Sequence, residues 1–248
     1  MVPGIREELI FLNQKFMSEI IHLFNIILYQ PLLNILVLFY KYCHDFGIAI
    51  LVLTILIKIL LSPLTLKTLK AQKALQQLQP KLKEIQRKYK NDLEGQKRAM
   101  IELYQKEKIN PLSGCFPMLL QLPILIALYQ LFRKGLGPDQ FSLLYNFILP
   151  PENISLTFLG IINLAQPSLF LAVLAGIVQF VQTRNSLAGQ GNFQKDPKSL
   201  KTSQLMQKQL SYFFPIFTVL ILLRLPAAVA LYWLTVSAIS IIQQKLYV

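Results

Sequence analysis

The sequence predicts an all-α integral membrane protein with five core transmembrane helices, a cytosolic antiparallel helical hairpin and an N-terminal interfacial amphipathic helix. Three observations carry that prediction. Of 248 residues, 54% are hydrophobic and 15% charged, with a mean hydropathy of +0.47, more apolar side chain than a water-soluble globule needs. The apolar residues come in blocks of roughly 15 to 22, long enough to cross a bilayer as helix. The 25 Lys and Arg, set against 12 Asp and Glu for a net charge of +13, lie between those blocks, so they report topology before they report nucleic acid. A soluble enzyme is excluded, and no specific DNA binding is expected.

Residues 1–45 read as an extracytoplasmic, interfacial helical segment. The opening MVPGIREELIFLNQKF is acidic where a secretory signal would be basic, so no cleaved signal is expected. Residues 23–40 are apolar enough for a sixth span, which would put the N-terminus inside. Against that, His22, Asn25, Gln30, Asn34 and Lys41 gather on about half of a helical wheel, the pattern of a helix lying in the interface.

The core, residues 46–248, holds spans at 46–66, 112–132, 168–182, 211–223 and 227–242. Irregular backbone is not tolerated facing lipid, so these are helices, kinked at their internal prolines. Within 67–110, Leu75, Leu78, Leu82, Ile85 and Tyr89 make a 3-4-3-4 apolar stripe on a basic helix. Asn91 to Gly95 reads as a turn and Gln96 to Lys108 as a second arm, closing a hairpin through Met100, Leu103 and Tyr104. Residues 135–167, with Pro138, Pro150, Pro151 and Pro167, lie along the outer interface. The loop 184–208 is polar, without a stripe, and is expected to be flexible. Only fifteen residues separate Lys208 from Arg224, about 22 Å of helix against a core of about 30 Å, which thins the bilayer locally.

Orientation follows from Lys and Arg in the short loops. Residues 67–108 hold twelve, 184–208 hold five and the tail adds Lys245, whereas the alternate loops hold only Arg133, Lys134 and Arg224. The hairpin, the 184–208 loop and the C-terminus are therefore cytosolic, or on the equivalent side of an organelle membrane, and the N-terminus is extracytoplasmic. A multi-pass protein of the cell's inner or plasma membrane is expected.

Lys58 is the most informative residue. It sits nine positions before Lys67, roughly 10 to 13 Å inside the boundary at 1.5 Å per residue. An ionisable group that deep is costly unless it meets protein or water, so it marks a functional site; the plain alternative is that it snorkels to the headgroups. Thr54, Lys58 and Ser62 at i, i+4, i+8 make one polar strip. Gln121, Gln179 and Gln182 each need a partner inside their spans, either another helix or a wet groove. Tyr232 and Trp233 read as belt or groove aromatics, with helix packing the alternative. Cys43 and Cys115 lie 72 positions apart, and with His22 and His44 they form no metal-binding spacing. No metal, cofactor or catalytic residue is expected. A Ser-Lys peptidase built on Lys58 and Ser62 is the weakest alternative, and an anion-binding transporter or channel the stronger one.

With these residues assembled, the chain resembles the YidC-type membrane protein insertases, a family with mitochondrial and chloroplast members. The resemblance runs from about Tyr29 to Tyr247 and is strongest in LQPKLKEIQRKYKND at 78–92, LYQKEKINPLSGCFPMLLQLPILIALY at 103–129 and PAAVALYW at 226–233. It implies five core spans, a cytosolic hairpin and a groove open to the cytosol and lipid but closed outside. It implies a short form, without the large outer domain of some bacterial relatives. Where the family pattern resembles LTxxxR followed by Pro, this chain has LTILIKILLSP, placing Lys58 at the groove arginine with a compact ammonium instead of a planar fork. By position the resemblance adds Gln121, Gln179 or Gln182, Tyr232 and Trp233 to the substrate groove. The implied activity is insertion of nascent membrane proteins without nucleotide hydrolysis. The ribosome, the signal-recognition-particle pathway and the Sec translocon are implied partners, met by the hairpin through Leu78, Lys81, Lys83, Arg87, Lys88 and Lys90.

Overall fold

A computed structural model describes residues 3–110, 116–135, 137–151, 154–188 and 201–247, with side chains at 3–13, 83, 116–119, 138, 187–188 and 201–211 left out. It is mostly helical. The order is α1 (Pro3–Phe24), a π turn (Asn25–Tyr29), α2 (Gln30–Cys43), α3 (Phe46–Leu60), α4 (Ser62–Gln77), α5 (Gln79–Lys88), α6 (Leu93–Lys106), α7 (Phe116–Lys134), α8 (Pro138–Phe141), β1 (Thr157–Phe158), β2 (Ile162–Asn163), α9 (Leu169–Ala188), α10 (Lys201–Leu222) and α11 (Ala227–Tyr247). The two strands pair antiparallel, Thr157 opposite Asn163.

Among the described residues, Gln14–Cys43 and Ala227–Tyr247 are each long and apolar enough to cross a membrane, and α3 with α4 makes a third if the bent pair counts as one span. The expected span at 46–66 is thus not straight. It breaks at Leu61 and turns through 63° into α4, because Pro63 lacks the amide that would continue the ladder and its ring crowds the preceding turn. The first 15 residues alone reach about 22 Å. The stripe from Leu75 to Tyr89 is also interrupted: α4 ends at Gln77 and Pro80 opens a new helix, so the first hairpin arm is α5 alone. The second arm starts at Leu93, earlier than expected, because Asp92 caps it by accepting from Gly95 N at 2.9 Å. Helix also extends into the expected loop 184–208, through Ala188 and again from Lys201. Apolar windows measure how much helix lipid covers, whereas helix in water can continue past them. Residues 189–200 lie outside the described residues, as does 111–115 within the 103–129 motif.

The core sits at the end of the bundle nearest residues 135–167. Leu33, Leu36 and Val37 of α2, Phe46, Ala49, Ile50 and Leu53 of α3, Leu128 and Leu131 of α7, Ala172 and Ala175 of α9 and Ala227 to Tyr232 of α11 are buried together. Small residues let α9 and α11 approach closely, the packing that holds helices together where no hydrophobic driving force separates protein from lipid. Beyond Leu53 and Thr54 the outer face of α3 opens: Ile55, Ile59 and Leu60 are exposed.

The 135–167 segment seals the packed end. Asp45 caps α3, its Oδ1 accepting from Ile48 N at 2.8 Å, while its Oδ2 accepts from Leu159 N at 2.6 Å in the β1–β2 turn. Ala227 N and Ala228 N, at the start of α11, donate to Gln166 O at 2.9 Å and Leu164 O at 3.0 Å. The loop carbonyls thus satisfy amides that a helix start leaves free. Phe46 packs edge-on against Phe132, ring centroids 5.9 Å apart, and the gap between them, Leu156, Leu164 and Ala228 is only about 10 Å³, room for at most one water.

Candidate functional site

Lys58 leaves α3 one turn beyond Thr54, the last buried residue of that helix. Its Nζ donates to Ser240 Oγ on α11 at 2.7 Å, and Ser240 Oγ donates to Val236 O at 2.8 Å. The side chain is half-buried and, among the described residues, makes no ion pair. No Asp or Glu occurs in α3, α7, α9 or α11 to neutralise it. A charge so placed is costly in hydrocarbon and tolerable only beside polar groups or water. Lys58 turns across the bundle to Ser240, not along its own chain to Ser62, which lies half-buried beyond the bend. Thr54 is 0% exposed and donates to Ile50 O of its own helix at 2.6 Å. The expected strip of Thr54, Lys58 and Ser62 therefore does not form one open face, because Thr54 closes on its own backbone and the helix bends before Ser62.

Two of the three glutamines find aromatic partners. Gln121 on α7 donates to the hydroxyl of Tyr232, which is fully buried in α11. Trp233 donates its indole N–H to Gln179 Oε1 on α9 at 3.1 Å. Both are interhelical bonds, one of the two alternatives the sequence left open. They pin α11 between α7 and α9 and satisfy amides that would otherwise be costly in lipid. Gln182 lies half-buried one turn further along α9, its carbonyl accepting from Ser186 Oγ at 3.1 Å.

That carbonyl leads to residues the sequence reading missed. Gln76 Nε2 on α4 donates to Ser186 O at 3.0 Å, and Gln244 Nε2 on α11 donates to Ser186 Oγ at 2.7 Å. The side-chain oxygens of Gln243 and Gln244 are buried without a partner among the described residues. Trp233, Ser237, Ser240 and Gln244 fall at 4-3-4 spacing, a polar strip down one face of α11 that periodicity could have revealed. Lys58 thus stands at the head of a polar seam running between α3, α4, α9 and α11, away from the sealed end.

The hairpin arms pair antiparallel, with Lys81 Nζ at the start of α5 2.5 Å from Glu107 Oε1 just past the end of α6. Lys81 draws the Glu107 carboxyl below the usual carboxylate range, through its hydrogen bond and its charge. Arg87, Lys88 and Lys90 are exposed near the hairpin tip, with the Lys88 ammonium 5.6 Å from the Tyr89 ring centroid. Leu78 is only 4% exposed, which makes it a packing residue at the α4–α5 junction and not a contact surface. Of Lys83 only the backbone, within α5, is among the described residues.

A family profile described as "60Kd inner membrane protein" matches residues 38–248. A protein of Fusobacterium nucleatum subsp. nucleatum named "Membrane protein insertase YidC" is 40% identical over 205 residues, covering 82% of this chain and 86% of that protein. Proteins of the same name from Endomicrobium trichonymphae and Geobacter metallireducens are 37% and 34% identical over 85% and 87% of this chain. The chain spans only 37% and 36% of the length of those two.

Proposed function

Because this chain belongs to the 60Kd inner membrane protein family, we propose that it is a membrane protein insertase of the inner membrane, accepting nascent transmembrane segments from the cytosol. The observation that carries the reading is the Lys58 ammonium, half-buried, without a counter-ion among the described residues, at the head of the polar seam. A client helix with a short acidic outer tail is drawn toward that charge. The packed 135–167 end keeps the path closed outside, and the apolar client segment then moves sideways into lipid, driven by its own apolar surface. The free energy comes from that transfer, so no nucleotide is required.

In this reading five spans make the core: α3 with its bend, α7, α9, α10 and α11. The Lys and Arg distribution supports a cytosolic α5–α6 hairpin, 184–208 loop and C-terminus. The hairpin's exposed Arg87, Lys88 and Lys90 are then available to ribosomal RNA or to targeting factors of the signal-recognition-particle and Sec pathways.

The N-terminal helix is read as interfacial despite being long enough to span. A spanning helix would meet the outer segment at one end. Here Tyr29 donates its hydroxyl hydrogen to Gln140, Gln30 and Asn34 both donate to Leu143 O at 3.1 Å, and Tyr40 accepts from Ser155 N at 2.9 Å. Contacts to that segment thus run along about 16 Å of helix axis. The π turn supports the same reading. Gln14, Lys15, Ser18, Glu19, His22 and Asn25 share an arc of about 140° at 100° per residue, and Gln30, Asn34 and Lys41 would fall behind it. One extra residue in the π turn at 25–29 rotates them back by roughly 100°, giving a single polar stripe.

The test is substitution of Lys58. Lys58→Ala is expected to abolish most insertion of acid-tailed clients, and Lys58→Arg to retain it. Normal insertion by the alanine variant would refute the electrostatic step.

A further inference from the structure

The geometry points to Ser240 as the positioning residue for the Lys58 ammonium, holding it across the α3–α11 seam with two of its three N–H groups free for the acidic end of a client. This deepens the insertase reading and rests on it.

A lysine on one turn of helix has several rotatable bonds and would ordinarily reach toward the nearer headgroups. Here the ammonium is drawn sideways to Ser240 Oγ at 2.7 Å. Ser240 is itself 9% exposed, so the bond lies within the helix seam. The serine proton is committed to Val236 O at 2.8 Å. The hydroxyl therefore turns its lone pairs to the lysine and accepts one of three ammonium hydrogens. Thr54, one turn earlier on α3, is closed on Ile50 O and provides no competing bond across the seam.

The chemistry of the partner decides the function. A carboxylate at this place would hold the lysine as firmly but cancel its charge. A hydroxyl fixes direction and leaves the charge whole, which is what attraction of an anionic tail over several ångströms requires. Among the described residues no acidic group faces Lys58 from its own helix or the helices packed on it: α2, α3, α4 and α11 carry none. The remaining two N–H groups can thus meet a client carboxylate with a charge-assisted bond.

The experiment uses the full chain in phospholipid vesicles, with a client bearing a short acidic outer tail, and reads the initial rate of insertion. Ser240→Ala is expected to lower that rate roughly tenfold, the effect of one lost hydrogen bond to a charged group. Ser240→Thr, which keeps the hydroxyl, restores most of it, and Ser240→Asp lowers it to the level of Lys58→Ala. In a chain already carrying Lys58→Ala, adding Ser240→Ala produces no further loss, which separates a role through Lys58 from a general packing defect. Wild-type insertion by Ser240→Ala, a threonine variant as poor as alanine, or additive losses in the double variant would each overturn the inference. An unsubstituted chain that inserts nothing would instead overturn the insertase reading itself.

Discussion

Replacing Asp45 by alanine removes two bonds with one side chain, because its carboxylate both caps α3 and holds the β1–β2 turn. The cap to Ile48 N is worth roughly 0.5 to 2 kcal/mol. The bond to Leu159 N, made by a charged acceptor, is worth roughly 1.5 to 3 kcal/mol. Leu159 sits at φ 53°, a left-handed conformation that a leucine adopts reluctantly and keeps because its amide is tethered. Asp45→Ala is therefore expected to cost about 2 to 5 kcal/mol. Asp45→Ser keeps a good cap but cannot reach Leu159, and loses only the tether. Amide hydrogen exchange in micelles resolves the two: at Leu159 both variants exchange at least tenfold faster than wild type, while at Ile48 only the alanine variant does. Unchanged exchange at Leu159 in both variants would refute the claim that this carboxylate holds the β1–β2 turn onto the packed end of the bundle.

Other consequences follow from single contacts. A Cβ at Gly176 would collide with Val219 Cγ2, so Gly176→Ala should push α9 from α10 and lower the thermal unfolding midpoint by the equivalent of about 1 to 3 kcal/mol, with partial recovery in combination with Val219→Ala. The Glu107 carboxyl is held below its ordinary range by Lys81, so its contribution to hairpin pairing is present above that range and is lost as pH falls through the depressed value. Distance labels on α5 and α6 should report the arms loosening only in acid, and in Glu107→Gln no such pH step should remain. Deleting residues 78–108 should slow delivery of ribosome-bound clients while leaving the spans folded, as read by helical content in micelles.

Composition made the membrane class legible because lipid tolerates so few side chains that apolar blocks stand out. It also marked Lys58, since a lone charge in such a block has few explanations, and Pro63 marked the bend at which α3 ends. Helix ends were less readable, because they are set by local caps such as Asp92 and by water, where hydropathy carries no signal. The pairings of the site were hidden for another reason. Gln121 meets Tyr232 across 111 positions and Lys58 meets Ser240 across 182, and nothing local announces a partner so far along the chain. Thr54 shows the reverse error, since its spacing from Lys58 suggested a shared open face but its hydroxyl has a nearer acceptor in Ile50 O.

Insertion as proposed carries an apolar segment from water into lipid under the guidance of one charged side chain. Vesicles holding this chain as their only protein, offered a client with an acidic outer tail and no nucleotide, should shield the client's span from added protease and deliver its tail to the far side. Protection no greater than in protein-free vesicles would show that Lys58 and its seam do not drive insertion.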